Sequence, residues 1–432
     1  MRSSRKKLKG DAAEAALLPV YTTPGTGELP VYQDAKGKGS GKKKRHRVRN
    51  GILIGLLVLV VAIVTTGVVV YMQLNGTLHR ESITNMMGGD RPTNVASVSD
   101  YRSMGDPFAG QAVNILVIGS DSRSGANSAQ ANDGVTGERS DTTLIVHVSA
   151  DRTRIDAVSI PRDTLITIPN CVYEDGTRVP GSGAVSQKFN AAFSYGSMGQ
   201  KGTVASGVAC AIKAVEAMSN VRIDEYIVVD FAGFQQIVNA IHGVDIYLPC
   251  AVVAPKADNL DLPKGVNHLS GKVATAYARA RTGQGLGDGS DLMRIQRQQA
   301  LFEAVAVKVL SMNVLTDLKP LYQFVSAVAG AVTTDLGNIT DIAGFAYSMR
   351  GMDVSSLTFT TVPVGAAGDG SSVLVQTLRA APIWQALNKD TALSDVVGVT
   401  SLIPRLSTSS TDATGSDVPP GMVSAPADQC NW

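Results

Sequence analysis

The sequence predicts an α/β fold, a mixed central sheet sandwiched by helices, preceded by one transmembrane helix. Three observations carry that prediction. Short runs rich in Val and Ile alternate with stretches of helical periodicity between residues 111 and 405. Two of the runs are separated only by the turn Ala150–Thr153, so antiparallel neighbours must sit beside the longer crossovers. Upstream, Gly51–Met72 is apolar and uncharged throughout, and an apolar helix of ~20 residues spans a bilayer's hydrocarbon.

The elements follow in order. Ala112–Gly119 is a buried strand ending in glycine, Asp141–Val148 a second, and Arg154–Ile160 a third in a hairpin with the second. Gly207–Met218 reads as a helix with Val208, Ala211, Ile212 and Val215 on one face. Glu225–Asp230 is a strand, Phe231–Ile241 a helix, and Val244–Leu248 a strand stopped by Pro249. Ser270 is placed to cap a helix running to Arg281. Asp291–Met312 is a long helix whose Ile295, Phe302, Val305 and Val309 should face the core. Helices near Leu318–Val332 and Ile339–Arg350 and a strand over Leu357–Val364 complete the domain. At 44% hydrophobic but only 5% aromatic, its core must be aliphatic.

Outside 111–405 the composition changes. Residues 1–50 carry the basic run Lys36–Asn50 and lack periodicity, so they read as a disordered cytoplasmic tail. Only Arg80 and Arg91 are basic between Met72 and Pro92, and that asymmetry puts everything after the span outside the membrane. The basic run lacks interleaved aromatics; it sets topology and meets lipid headgroups, and no nucleic-acid partner is expected. Residues 73–110 are expected as a polar stalk and 406–432 as a disordered tail. The four cysteines, Cys171, Cys210, Cys250 and Cys430, all fall on the outer side, where thiols can oxidise. Cys171, in a long loop, is expected to bond Cys210 on the next helix, although Cys210 also suits a lone core cysteine. Cys250 is left to take one of those partners or to pair with Cys430.

Polar groups collect at strand ends. Gly119–Arg123 closes the first strand, Arg139–Thr143 enters the second, and Ser159–Asp163 leaves the third. Ligands of open α/β sheets bind outside strand ends. Asp121 and Asp141, with Arg123, Arg139 and Arg162, suit a divalent cation and a phosphorylated ligand, because Mg²⁺ typically takes one or two carboxylates and completes its shell with phosphate and water. Taken singly, each of these is an ordinary turn or cap residue. Farther on, Arg279, Arg281, Arg294 and Arg297 crowd one short span. Arg294 and Arg297 are three apart on one helix face with Gln298, near a helix N-terminus whose dipole disfavours cations unless an anion is present. The alternative is a solvated basic face paired to Asp288 and Asp291. Guanidinium forks bind phosphate bidentately, and a pyrophosphate bridging a cation and several arginines fits all of these groups.

The segments NILVIGSDSR, RSDTTLIV, SIPRDTLITIP, KFNAAFSYG, DEYIVVDFAGFQQIVNAIHGVDIYLP and YARAR…DGSDLMRIQRQQ occur in this order between residues 112 and 310. Together they resemble the LytR-CpsA-Psr family of envelope enzymes. The resemblance implies a Mg²⁺-assisted phosphotransferase outside the membrane, with a polyprenyl-pyrophosphate-linked glycan as donor and a peptidoglycan sugar hydroxyl as acceptor. It implies that Asp121 and Asp141 are the metal-side carboxylates. Arg139, Arg162, Arg279, Arg281 and Arg297, joined by Arg294, would be the pyrophosphate clamp; Asp121, Arg139, Asp141 and Arg162 would be the catalytic group, and Lys188 and Asn190 supporting residues. One departure is Met293, which stands where the family commonly has Gly. A base near the acceptor would be Asp121 or Asp163. Phe231, Phe234, Ile237, Phe302 and Val305 are expected either to wall a slot for the lipid or to be ordinary core. The rival functions are a non-catalytic membrane regulator and a pyrophosphatase that gives the lipid-linked pyrophosphate to water.

Overall fold

Seven strands make the central sheet of the computed structural model. In chain order they are β1 (His79–Arg80), β2 (Val113–Ser120), β3 (Ser140–Val148), β4 (Ile155–Ser159), β5 (Glu225–Asp230), β8 (Val332–Thr334) and β9 (Leu357–Thr361). β6 (Val244–Leu248), β7 (Gly265–Leu269) and β10 (Val423–Ser424) form a second, three-stranded sheet. The structure describes residues 65, 72, 75–76, 78–93, 105–120, 140–199, 201–289, 291–311, 318–352, 354–396, 418–419 and 422–430. The expected membrane helix over 51–72 lies outside them, apart from Thr65 and Met72; among the described residues no helix is long and apolar enough to cross a membrane.

The main sheet runs β1-β8-β5-β2-β3-β4-β9. It is mixed, as expected. β2 and β5 are parallel, β3 is antiparallel to both β2 and β4, and β9 is parallel to β4. Its strands alternate faces with period two. Leu116, Ile118, Ile145 and Val158 point to one layer, packing with α2 (Asn190–Ser197), α3 (Val204–Ser219) and α9 (Thr377–Lys389). Val113, Ile115 and Val148 point to the other, toward α6 (Asp291–Ser311) and α8 (Ile339–Ser348). The expected α3 face is buried completely: Val208, Ala211, Ile212 and Val215 are each at most 1% exposed. Thr203 and Ser206 close α3's N-terminus as a capping box, and Asn220, at φ 53°, ends it in the left-handed region.

Three expectations need correction. Residues 79–87 are not stalk. β1 pairs with β8, the turn α1 (Thr84–Met87) buries Met86 and Met87, and the Tyr226 hydroxyl donates to the Glu81 carbonyl at 2.5 Å. Three apolar side chains, Ile83, Met86 and Met87, suffice to dock a short polar segment onto an existing core. Nor is the end of the chain a tail throughout: β10 pairs in parallel with β6, and Cys430 is bonded to Cys250. On α6 the buried face is displaced from the expected stripe. Ile295, Leu301 and Ala304 are buried, whereas Phe302, Val305 and Val309 are only half-buried.

The second sheet, with α4 (Phe231–Ala240), α5 (Gly271–Arg279) and α7 (Leu318–Ala331), flanks the main sheet. Asp230 caps α4, accepting from the Gly233 N–H at 2.6 Å. A Cβ on Gly233 would lie 2.1 Å from the Ala331 carbonyl oxygen, so α4 and α7 meet at this glycine. Ser270 holds the N-cap position of α5, but its hydroxyl makes no cap bond; Asn239 Oδ1 accepts from the Gly271 N–H instead. α5 stops at Arg279, so Arg281 lies in the loop beyond it.

Candidate active site

One edge of the main sheet gathers the ends of β2, β4 and β5 and the start of β3. Asp141, the second residue of β3, accepts from Arg162 Nη1 at 2.8 Å. Arg162 lies just past β4, and its Nε is 3.4 Å from Asp163 Oδ2. The other oxygen of Asp163 is 2.8 Å from Lys188 Nζ. Lys188 arrives because Gln187–Lys188 pairs with Leu165–Ile166, and the Asn190 N–H donates to the Arg162 carbonyl at 3.0 Å. Two motifs far apart in sequence therefore interlock. From α6, Arg294 Nη2 comes within 3.9 Å of Asp141 Oδ1, and its side chain is only 4% exposed. The result is a row of alternating charges, Lys188–Asp163–Arg162–Asp141–Arg294.

An apolar pocket opens beside this row. Gly119, Asp141, Thr142, Phe231, Phe234, Ala278, Gln298, Leu301 and Phe302 line it, and it holds about 500 Å³ of empty space, part of it open to solvent. Phe234 and Phe302 meet edge to face, with ring centroids 5.9 Å apart. Of the five residues expected to wall a lipid slot or fill a core, Phe231, Phe234 and Phe302 line this pocket; Phe234 also packs, with Val305, on the core of the second sheet, and Ile237 is half-buried on α4 outside the lining. The rim is fixed by Thr142, whose hydroxyl donates to Gln298 Oε1 at 2.8 Å, while Gln298 Nε2 donates to the Ala278 carbonyl at 3.2 Å.

The four clustered arginines separate into different roles. Arg279 is exposed, its guanidinium carbon 4.9 Å from the centre of the Phe231 ring at the pocket wall. Arg281 is exposed in the loop after α5. Arg294 belongs to the charged row. Arg297 does not come to the mouth, where its expected place in a phosphate clamp would put it. It is 1% exposed, and it donates to the carbonyls of Ala280, at 2.6 Å, and Leu286. Burial lowers its pKa from the ordinary arginine value. The three-residue spacing that put Arg294 and Arg297 on one face is right, but the loop from 280 to 289 folds over Arg297 and covers it. Met293 is buried and packs against Gly287 in that loop.

Asp121, Arg123 and Arg139 lie outside the described residues. Sequence reasoning missed Thr142 and Asp230 as pocket-lining groups. Asp230 carried a signal, being a carboxylate at a strand end directly before a helix. Among the described residues no group of three or more His, Cys, Asp or Glu side chains converges to hold a metal. Of the carboxylates here, Asp163 is paired with Arg162 and Lys188 and Asp230 caps α4, while Asp141 suits a cation that shares its shell with phosphate and water. Cys171 is bonded to Cys210 with Cα atoms 5.3 Å apart, tying the loop after β4 to α3.

The LytR_cpsA_psr family model matches residues 70–389 of the chain. The chain is 30% identical over 287 residues to the cell wall biosynthesis protein LcpA of Corynebacterium glutamicum, covering 61% of this chain and 53% of that protein. It is 26% identical over 280 residues to the polyisoprenyl-teichoic acid–peptidoglycan teichoic acid transferase TagT of Bacillus subtilis, covering 63% and 74%. The chain spans about half the length of LcpA and of the related LcpB, 53% and 55%. Among solved structures it aligns with a LytR-Csp2A-Psr enzyme from Actinomyces oris at 20% identity and a TM-score of 0.47, covering 69% of this chain and 97% of that one.

Proposed function

The chain belongs to the LytR_cpsA_psr family, and from that premise we propose that it is a Mg²⁺-assisted phosphotransferase acting on the outer side of the cell membrane. It moves a glycopolymer from a polyprenyl-pyrophosphate carrier to a peptidoglycan sugar hydroxyl. The observation that carries this reading is the charged row of Arg162, Asp141 and Arg294 at the rim of a pocket walled by Phe231, Phe234 and Phe302. A polar mouth on an apolar slot matches an amphiphile whose head is a phosphate anion and whose tail is a hydrocarbon. The relatives named as teichoic acid transferases support the same class of donor and acceptor.

In this reading the acceptor hydroxyl oxygen attacks the phosphorus that bears the glycan. The bond from that phosphorus to the lipid phosphate breaks, the lipid monophosphate leaves, and the hydroxyl proton is released. Arg162, Arg279, Arg281 and Arg294, with Arg139, bind the pyrophosphate oxygens and stabilise the charge that builds on the leaving group. Asp141 and Asp121 would hold the Mg²⁺, which supplies further neutralisation of the phosphates. Asp163, held by Arg162 and Lys188, keeps Arg162 oriented. The three phenylalanines hold the first part of the lipid and exclude water from the reacting centre. Residues 51–72 anchor the chain and residues 1–50 stay in the cytoplasm; the two disulfides support an oxidising compartment for the rest.

The test is transfer by the purified protein. Incubated with Mg²⁺, a lipid-pyrophosphate glycan and peptidoglycan fragments, it should form a new phosphodiester between glycan and fragment, and a chelator should stop the reaction. Release of the same glycan phosphate to water whether or not acceptor is present would identify a pyrophosphatase instead. No turnover in any arm would leave the regulator reading standing.

A further inference from the structure

The segment near the C-terminus is built into the loop that carries Arg281. Gln429 is completely buried. Its main-chain carbonyl accepts from the Gly287 N–H at 2.9 Å, and its side-chain Oε1 accepts from the Tyr277 hydroxyl at 3.1 Å. Tyr277 stands on α5 two residues before Arg279, and Gly287 lies between Arg281 and α6. One side chain and its own carbonyl thus bridge the helix that ends in Arg279 and the loop that follows it.

Glycine dominates that loop. Gly283, Gly285, Gly287 and Gly289 all have positive φ, and such glycines lose the most conformational freedom on ordering. Its pins come from outside. Arg297 holds Ala280 and Leu286 from α6, the Val253–Gln284 bridge holds the middle, and Gln429 holds Gly287. Gln429 is itself anchored on both sides. Val423 and Ser424 pair with β6, the Ala425 N–H donates to the Tyr247 carbonyl at 2.9 Å, and Cys430 is bonded to Cys250. The amide is an expensive choice for a plug: Gln429 Nε2 is buried with no hydrogen-bond partner among the described residues, which an apolar side chain would avoid.

We propose that residues 422–430 are a strap that fixes the arginine-bearing loop, with Gln429 as its positioning residue. The consequence for ligand binding rests on the reading of Arg279 and Arg281 as pyrophosphate contacts; the consequence for the loop does not.

The test uses the full chain with both disulfides verified by mass. Gln429→Met keeps the volume and loses the acceptor, Tyr277→Phe loses the donor, and the double variant closes a cycle. Gln429→Asn, which draws the same amide back by one methylene, is the milder variant if Gln429→Met does not fold. Hydrogen exchange across 280–289 should rise in each variant while β2 and β3 stay protected. Affinity for farnesyl pyrophosphate should fall roughly 3- to 10-fold, and the double variant should be no worse than either single one. Wild-type exchange across 280–289 in the variants, or additive effects in the cycle, would overturn the strap. If the wild-type protein itself does not bind farnesyl pyrophosphate, the pyrophosphate reading fails, and the exchange measurement still decides the strap.

Discussion

Replacing Arg297 by alanine should cost stability before it costs chemistry. The side chain is 1% exposed and donates to two main-chain carbonyls, Ala280 and Leu286. Hydrogen bonds from a charged group contribute about 1.5–3 kcal/mol each, and alanine leaves both carbonyls short of a donor. The expected loss is about 3–5 kcal/mol, within the range of broken buried networks, and a fall in melting temperature of roughly 5–15 °C. Arg279→Ala is the contrast. Arg279 is exposed, and its ring contact with Phe231 is worth about 0.5–1 kcal/mol, so its melt should move by no more than about 3 °C. Its transfer rate should nonetheless fall by roughly ten- to a hundredfold, the value of one charge-assisted contact made in the transition state. Thermal melts and transfer assays on the two variants separate the roles. An Arg297→Ala protein that melts like the wild type but has lost transfer would refute the loop-holding assignment and return Arg297 to the phosphate clamp.

Three further outcomes are expected. Glu303 is 1% exposed on α6, and burial pushes its carboxyl up to about 8 from an ordinary 4.5. The folded state then holds that proton more tightly than the unfolded chain, so stability is intact below about pH 4.5 and is lost as pH rises through about 8. Glu303→Gln should therefore gain on the wild type by on the order of 4 kcal/mol between pH 5 and 9, and a difference in melting temperature that is flat with pH would count against it. Asp390 is raised by its burial but lowered more by His147, the Ala150 N–H and Arg154, to about 2. Its contribution is present above the ordinary 3.8 and is lost as pH falls toward 2; Asp390→Asn should cost about 2 kcal/mol at neutral pH and little near pH 2 in chemical denaturation. Ala278→Trp should fill the pocket, weakening farnesyl pyrophosphate far more than isopentenyl pyrophosphate in calorimetric titrations; equal losses would mean that the pocket does not hold the chain.

How far the sequence could be read depends on how local the determining interaction is. β2, β3 and β4 were legible because each is a short apolar run bounded by a turn, and burial on both faces needs no further instruction. α3 was legible because its apolar face repeats at helical spacing. The row from Lys188 to Arg294 was legible only as a set of suspects, since strand ends say where ligands bind but not which charges meet. β1, α1 and β10 were not legible. Each is two to four residues long, and each is held by partners that lie far along the chain, as β1 is by β8 and β10 by β6. Such segments have no periodicity to detect, and their order comes from a surface that exists only after the rest has folded.

Arg297 shows the same limit at a single residue. Its chemistry, a guanidinium near a helix N-terminus, is that of a phosphate ligand, and Arg294 three positions earlier does reach the charged row. Which of the two faces the mouth is decided by the glycine-rich loop that folds across Arg297, and that loop is held in turn by the Val253–Gln284 bridge and by Gln429, 132 positions farther along the sequence. A guanidinium bonded to two carbonyls of that loop adds rigidity to the neighbouring Arg281, just as a guanidinium at the mouth would add charge. The clustering of four arginines is therefore a mixture: in the proposed function Arg279, Arg281 and Arg294 offer charge to an anion, and Arg297 fixes the geometry from which two of them offer it.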